Sequence, residues 1–265
     1  MTGWEALEAE LAAWRAAGRQ ATLWWRDDDA VRPGPALDRL LALARDNHAP
    51  LALAVIPAAA EAALAQRLEE EPDVAVLQHG FAHRNHEPAE RKKCELGAAR
   101  PAAAALAELA EGRDRLAELF GPRFLPVLVP PWNRIDPGLI AALPGLGFRG
   151  LSTYGTRAGT WAAEGLLQVN SHADPIRWKP ERGFLGEAAT LALLCGHLRA
   201  RRLGKAAAEE PTGLLTHHAA HDDALWGFLE RLLAVLRAAE SARILTVPAV
   251  FNCDQEVDGD LPLSA

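Results

Sequence analysis

Residues 24 to 30 read WWRDDDA and set three consecutive carboxylates, Asp27, Asp28 and Asp29, directly behind an apolar run with the character of a buried strand. Three like charges at the edge of a core need cations, and Arg26 or a metal ion can supply them. Two neighbouring carboxylates with different partners can divide the work: one ligates a metal while the other stays free as a general base. The stretch HGFAHRNH holds His79 and His83 at HxxxH spacing, which places two imidazoles on one side of a turn. Two neutral imidazole nitrogens with one or two carboxylate oxygens, and positions left open for water, form the ligand set of a catalytic zinc or a related divalent ion. Plainer readings stand beside these. An Asp run also makes a solvated turn or the N-cap of a helix beginning near Pro35, and HxxxH pairs arise by chance.

Further polar groups follow other apolar runs. VPPWN carries Trp132 and Asn133, as a pocket wall or simply as a rigid proline turn. In HADPIRW, Asp174 either pairs with Arg177 or orients a catalytic histidine, with Trp178 alongside. In LLTHHAAHDD one of His217 and His218 must point inward and the other away, since successive strand residues face opposite sides. His221, Asp222 and Asp223 suit the start of a helix.

The elements that must position these groups alternate along the chain. Short apolar runs at 21–25, 51–55, 74–78, 124–129, 148–153, 166–170, 213–216 and 243–247 are separated by helical patterns such as ALDRLLALARDN and ALWGFLERLLAVLRAAE. Continuous apolar strands between helices imply a parallel sheet, and this number of units favours a closed or nearly closed (β/α) barrel over an open doubly wound sheet. Such a barrel puts chemistry just after strand C-termini, where the acidic triplet and every histidine except His48 and His197 are expected to converge on one rim. No glycine fingerprint of a dinucleotide site follows any of these runs, and segments 87–100 and 203–211 read as loops.

Composition narrows the partners. With 265 residues, 49% apolar and 24% charged, the chain is expected to form a single domain over 1–265, with residues 1–18 an amphipathic helix packed on it through Trp4, Leu7, Leu11 and Trp14. A formal net charge of -7 argues against nucleic-acid or anionic-membrane binding, so the expected partner is a small molecule. No apolar stretch is long enough to span a bilayer, and the start lacks the layout of a signal peptide. Three cysteines, Cys94, Cys195 and Cys253, without a CxxC pattern fit reduced thiols in a cytoplasm.

In order, RDDD, HGFAH, VPPWN, HADPIRW and LLTHH resemble the five motifs of the polysaccharide deacetylase family of carbohydrate esterases, over roughly residues 20 to 250. The resemblance implies an α/β fold, a distorted (β/α)7 barrel with parallel strands, and metal-dependent removal of an N-acyl group, N-acetyl above all, from a carbohydrate or related small molecule or oligosaccharide. It implies one divalent ion, zinc first with cobalt, nickel or iron as alternatives. The acidic register is open between Asp27/Asp28 and Asp28/Asp29, and divergent members reading R-x-D-D favour the second. Asp28 is then the base, Asp29, His79 and His83 the metal ligands, and His217, with His218 as alternative, the catalytic acid. Arg26, Asp27, Trp132, Asn133, Asp174, Trp178 and His218 are expected to support the site or bind substrate. The family's arginine before the proline loop is Val129 here, and Arg26 is expected to take its place. Two rival readings are a metal-dependent amidohydrolase or phosphoesterase on a related barrel, and a degenerate barrel that binds a carbohydrate or metabolite without turnover.

Overall fold

The computed structural model describes residues 2–252. Strands β1 (Ala21–Ala30), β2 (Leu51–Val55), β3 (Val74–His79), β4 (Phe124–Val129) and β5 (Gly150–Leu151) pair in sequence order, each parallel to the one before. A hairpin of β6 (Trp161–Ala163) and β7 (Leu166–Gln168) adds β7 parallel to β5. A separate antiparallel ribbon joins β8 (Ile176–Arg177) to β9 (Gly183–Phe184). β10 (Thr212–Thr216) and the short β11 (Ala242–Ile244) both lie parallel against the other edge of β1.

The chain beyond β7 stays extended. Ser171 pairs with Tyr154, Ala173 pairs with Leu214, and the Leu215 N–H donates to the Ala173 carbonyl at 2.8 Å. These bonds join the β5 side of the sheet to β10. Parallel strands β1 to β5, the β7 run as far as Ala173, and β10 therefore close into a distorted (β/α)7 barrel.

Helices α1 (Gly3–Ala16), α2 (Pro35–Asp46), α3 (Ala62–Leu68), α4 (Ala102–Phe120), α5 (Pro137–Ile140), α6 (Glu187–Arg202), α7 (Asp223–Ala238) and α8 (Val247–Phe251) complete the described chain. Thr2 caps α1 in a capping box with Glu5, and Trp4, Leu7, Leu11 and Trp14 bury its inner face. The helix is tied to α6 by Trp4 Nε1–H donating to Glu187 and by a forked Arg202–Glu10 pair.

Period-two alternation sorts β1 into two faces. Trp24 belongs to the barrel interior with Ala52, Ala54, Leu77, Val127 and Val129, whereas Trp25 packs outward beneath the helices. Small alanines on β2 make room for the indole inside. The interior is also packed by Val247, Val250 and Phe251 of α8, with Phe251 edge-on to Trp24. The apolar run at 243–247 is therefore not a strand throughout. β11 stops at Ile244 and α8 begins at Val247, where Pro248 supplies the fixed φ of a first helical turn and no ladder N–H. Segments 87–100 and 203–211 contain no helix or strand beyond an isolated Leu96–Ile135 bridge and the end of the preceding turn. Cys94 and Cys195 are free thiols, and Cys253 lies outside the described residues. No helix among the described residues is long and apolar enough to cross a membrane.

Candidate metal and catalytic site

β1 sends its three aspartates to three different places. Arg26 and Asp28 follow Trp24 into the interior, where both are buried, at 0% and 2% exposure. Arg26 Nε lies 2.8 Å from Asp28 Oδ1 and its Nη2 donates to Asp28 Oδ2 at 3.1 Å. The rest of the guanidinium donates to Asn133 Oδ1 at 2.8 Å and to Ser152 Oγ at 2.7 Å. Asp27 faces outward with Trp25, fully buried, and accepts from Thr216 and His218 at the end of β10. At Asp29 the β1–β2 register breaks, and the residue takes a left-handed φ of 73°. Without that bulge Asp29 would share the face of Asp27; with it, the carboxylate reaches the rim.

There Asp29 Oδ1 lies 3.1 Å from His79 Nε2 and 3.4 Å from His83 Nε2. His79 Nδ1 sits 3.0 Å from the Val129 carbonyl, an acceptor only, so Nδ1 carries the hydrogen. In the neutral ring, Nε2 is then a bare lone pair facing a carboxylate oxygen, and Asp29 Oδ1 is buried without a hydrogen bond. Two acceptors at that separation require a cation between or beside them. A second proton is one solution: the Asp28 and Asp29 carboxylates pull the His79 pKa up against the burial that would lower it, and the imidazoles of His79, His217 and His83 hold Asp29 well below the usual range against its own burial. A divalent ion is the other, and the Asp/His/His set with one histidine fixed by a backbone carbonyl is the donor chemistry it takes.

The loop carrying His83 is built by a residue that sequence reasoning missed. Glu95, fully buried, accepts from the backbone N–H groups of Phe81, Ala82 and Arg84 at 3.0, 2.8 and 3.3 Å. A lone glutamate in a polar loop gave no signal for this. Gly80, at φ 56°, lies so close to Glu95 and Pro131 that an added Cβ would sit 2.0 Å from Glu95 Oε2. His83, Trp132 and Asn133 also hold left-handed φ values of 52°, 56° and 55°. With Asp29, that makes four of the six positive-φ non-glycine residues described, a concentration of strain expected at a functional site rather than along a scaffold. The Trp132 ring packs 4.4 Å from that of His83.

Across the rim, His217 meets the edge of Trp178 at 4.7 Å, and Trp178 Nε1–H donates to Asp174 Oδ2 at 2.7 Å. Asp174 also accepts from Ile176 N–H at 2.9 Å; Arg177 turns instead to the Glu181 carbonyl. Burial raises the Asp174 pKa, and the nearby His217 opposes that rise. Trp178 is 46% exposed and offers an apolar wall. His218 points away, its Nδ1 2.5 Å from Asp27 Oδ1.

The expected convergence of histidines is only partial. His86 contacts Arg100, and His221 packs against Trp226. His172 lies under α6, stacked on His197 at 3.4 Å between ring centroids and 3.7 Å from Glu210. The cause is the seam that closes the barrel: Ala173 pairs with Leu214, so His172 is held at the level of Gly213 near the start of β10. His172, His197 and Glu210 bring three donor atoms together but do not fit a metal. Gly213 N–H donates to His172 Nδ1, so Nε2 bears the proton and could ligate only as an imidazolate. Moreover, ring planes inclined by 14° and stacked share no in-plane point within bonding distance.

No family model and no curated protein matches the sequence. Solved structures do. A Mycobacterium smegmatis protein assigned to the polysaccharide deacetylases is 15% identical with a TM-score of 0.65, covering 89% of this chain and 90% of its own. The Bacillus subtilis peptidoglycan deacetylase PdaC is 14% identical with a TM-score of 0.54, covering 89% and 92%. A family 4 acetyl xylan esterase from Clostridium thermocellum, in complex with a cobalt ion, is 12% identical with a TM-score of 0.53, covering 88% and 91%. The chain shares their fold along nearly its whole length.

Proposed function

We propose that this chain is a divergent polysaccharide deacetylase, a hydrolase that removes an acetyl group, N-linked in the first instance, from a carbohydrate or related small molecule. The observation that carries the reading is the facing pair of acceptors, Asp29 Oδ1 and the bare Nε2 of His79, with His83 completing the set and an arginine-held carboxylate beside it. Asp29, His79 and His83 would hold the divalent ion, which when bound supplies Lewis acidity for the substrate carbonyl and for water. Zinc, cobalt, nickel and iron all suit these donors.

Asp28 takes the proton from the attacking water. Arg26 fixes its orientation with two contacts and is itself fixed by Ser152 and Asn133, the duty the family gives to the residue standing here as Val129. His217 protonates the departing amine, since an amine cannot leave as an anion. Asp174 and Trp178 wall the histidine, and Trp132 closes the opposite side beside His83. The acetyl xylan esterase among the structures of this fold makes an O-acetyl ester the second substrate class.

The test is turnover of triacetylchitotriose and 4-nitrophenyl acetate before and after chelation, with metal content measured. Loss on chelation, recovery with about one ion per chain, and abolition by Asp28→Asn are expected. Stoichiometric metal with no turnover of either probe would instead favour the binding barrel, and activity indifferent to chelation would sink the mechanism.

A further inference from the structure

Asp27 has no place in the chemistry above, yet it is fully buried and takes three hydrogen bonds. Its Oδ2 accepts from the Thr216 hydroxyl at 2.6 Å and from the His218 N–H at 2.9 Å, and its Oδ1 from His218 Nδ1 at 2.5 Å. Thr216 and His218 flank His217. Trp25 adds to the same grip by donating its indole N–H to Thr216 Oγ1 at 2.9 Å. Two outward-facing residues of β1 thus hold the chain on both sides of His217 while its ring packs on Trp178 at the rim.

His217 needs such a device because its own ring is poorly held. Its Nδ1 is buried and makes no hydrogen bond among the described residues, and its packing partner is the edge of a half-exposed tryptophan. Proton donors and bases in enzymes are ordinarily oriented by a third group on the ring's other nitrogen. Here the backbone has to do that work. His217 leaves the strand with φ -146° and ψ 88°, and its carbonyl accepts from Ala220 N–H to start the 3-10 turn at His218–Ala220. A free His217 would swing with that turn. Among the described residues, Asp27 is the one carboxylate that ties the turn to the barrel.

We propose that Asp27 is a positioning residue for His217: it aims the proton donor by clamping Thr216 and His218, and it takes no part in metal binding or water activation. The proposal rests on the reading of His217 as the proton donor. A residue that acts through a proton donor matters in proportion to how badly the leaving group needs a proton. 4-Nitrophenol departs from its acetate as an anion, whereas benzyl alcohol departs only when protonated, so a pair of acetate esters reads the effect directly.

Asp27→Asn should lower kcat on benzyl acetate by on the order of 100-fold, the scale of general acid catalysis, with at least tenfold less loss on 4-nitrophenyl acetate. KM and metal content should stay unchanged. His217→Ala should show the same selectivity, and the double variant should lose no more than His217→Ala alone. Thr216→Val, which loosens the clamp while keeping the charge, should show a smaller loss of the same kind. Equal loss on both esters, or additivity with His217→Ala, would overturn the positioning role. If His217→Ala is itself unselective, the proton-donor reading falls and this proposal with it. A selective His217→Ala beside an unselective Asp27→Asn and Thr216→Val overturns the positioning role alone. Should any variant fail to accumulate, histidine ring 15N spectra of the others decide: an unmoved His217 signal when the clamp is cut refutes the proposal.

Discussion

Replacing Arg26 by methionine tests the electrostatics of the interior more sharply than any other single change. The wild-type guanidinium is buried and satisfied by Asp28, Asn133 and Ser152. Methionine has similar length and no charge, so the change leaves the Asp28 carboxylate buried and without its cation. Removing one partner of a buried pair costs about 3–5 kcal/mol, because the surviving charge keeps its desolvation penalty. Taking about 4 kcal/mol, and about 3 kcal/mol per molar urea as the slope for a chain of this size, the unfolding midpoint should fall by about 1.3 M. Asp28→Asn alone should cost less, about 1–2 kcal/mol, since Arg26 keeps two neutral acceptors. The double variant Arg26→Met/Asp28→Asn should be more stable than Arg26→Met, for the stranded charge is gone. The assay is equilibrium urea unfolding of metal-free protein, so that ion binding does not mask the difference. A single Arg26→Met variant within about 1 kcal/mol of wild type, or costs that simply add in the double variant, would refute the reasoning.

Glu95→Gln keeps the size of the loop anchor but removes the charge that gathers three N–H groups, and should weaken zinc binding 10–100-fold in a chelator competition without changing stoichiometry. Unaltered affinity would mean the loop needs no anchor. Gly80→Ala places a Cβ on Glu95 and Pro131 and forces φ 56° on a residue that resists it, so it should unfold the His79–His83 loop and abolish metal binding. The His172–His197 stack predicts an acid liability. Burial and neighbouring cations lower these pKa values to about 2 and about 4, so below the unfolded value of about 6.5 the unfolded chain takes up protons that the folded chain refuses. Stability should therefore fall as pH drops from about 6.5, by up to about 1.4 kcal/mol per pH unit for each histidine, with His197 ceasing to contribute near pH 4. Urea midpoints between pH 4.5 and 7.5 should lose that slope in His172→Asn/His197→Gln; an unchanged slope would exclude the pair as its source.

The regular part of the fold was legible because apolar period and length report it directly. The runs at 51–55 and 124–129 match β2 and β4, and the helical patterns fall on α2, α4, α6 and α7. What escaped is what tertiary contact decides. β5, β8 and β9 have two residues each, too few to show a period, and α8 takes over an apolar stretch that reads as strand until packing against Trp24 is known. At the site, residue types and order pointed to Asp29, His79, His83 and His217, but not to Glu95. Its role depends on a loop folding back 14 residues onto the HGFAH turn, and nothing local in the sequence encodes that return. His172 was expected at the rim because it follows an apolar run; the pairing of Ala173 with Leu214 sets its level instead.

Three adjacent aspartates are tolerable only because the backbone keeps their carboxylates apart. The pleat alone would send Asp28 inward and leave Asp27 and Asp29 on one outer face, in mutual repulsion and competing for the same partners. The bulge at Asp29 breaks that symmetry, and each carboxylate then meets groups of a different kind: donors from His218 and Thr216 for Asp27, the Arg26 cation for Asp28, and for Asp29 the ring nitrogens of His79 and His83, which call for a cation between them. The left-handed φ of Asp29 is thus the structural condition for the division of labour proposed above. It follows that deleting one aspartate from RDDD removes a role rather than a spare charge: with Trp24, Trp25 and Arg26 held in the sheet, the two remaining aspartates fill the outward and inward places, and an alanine falls where the bulge carries Asp29 to the rim.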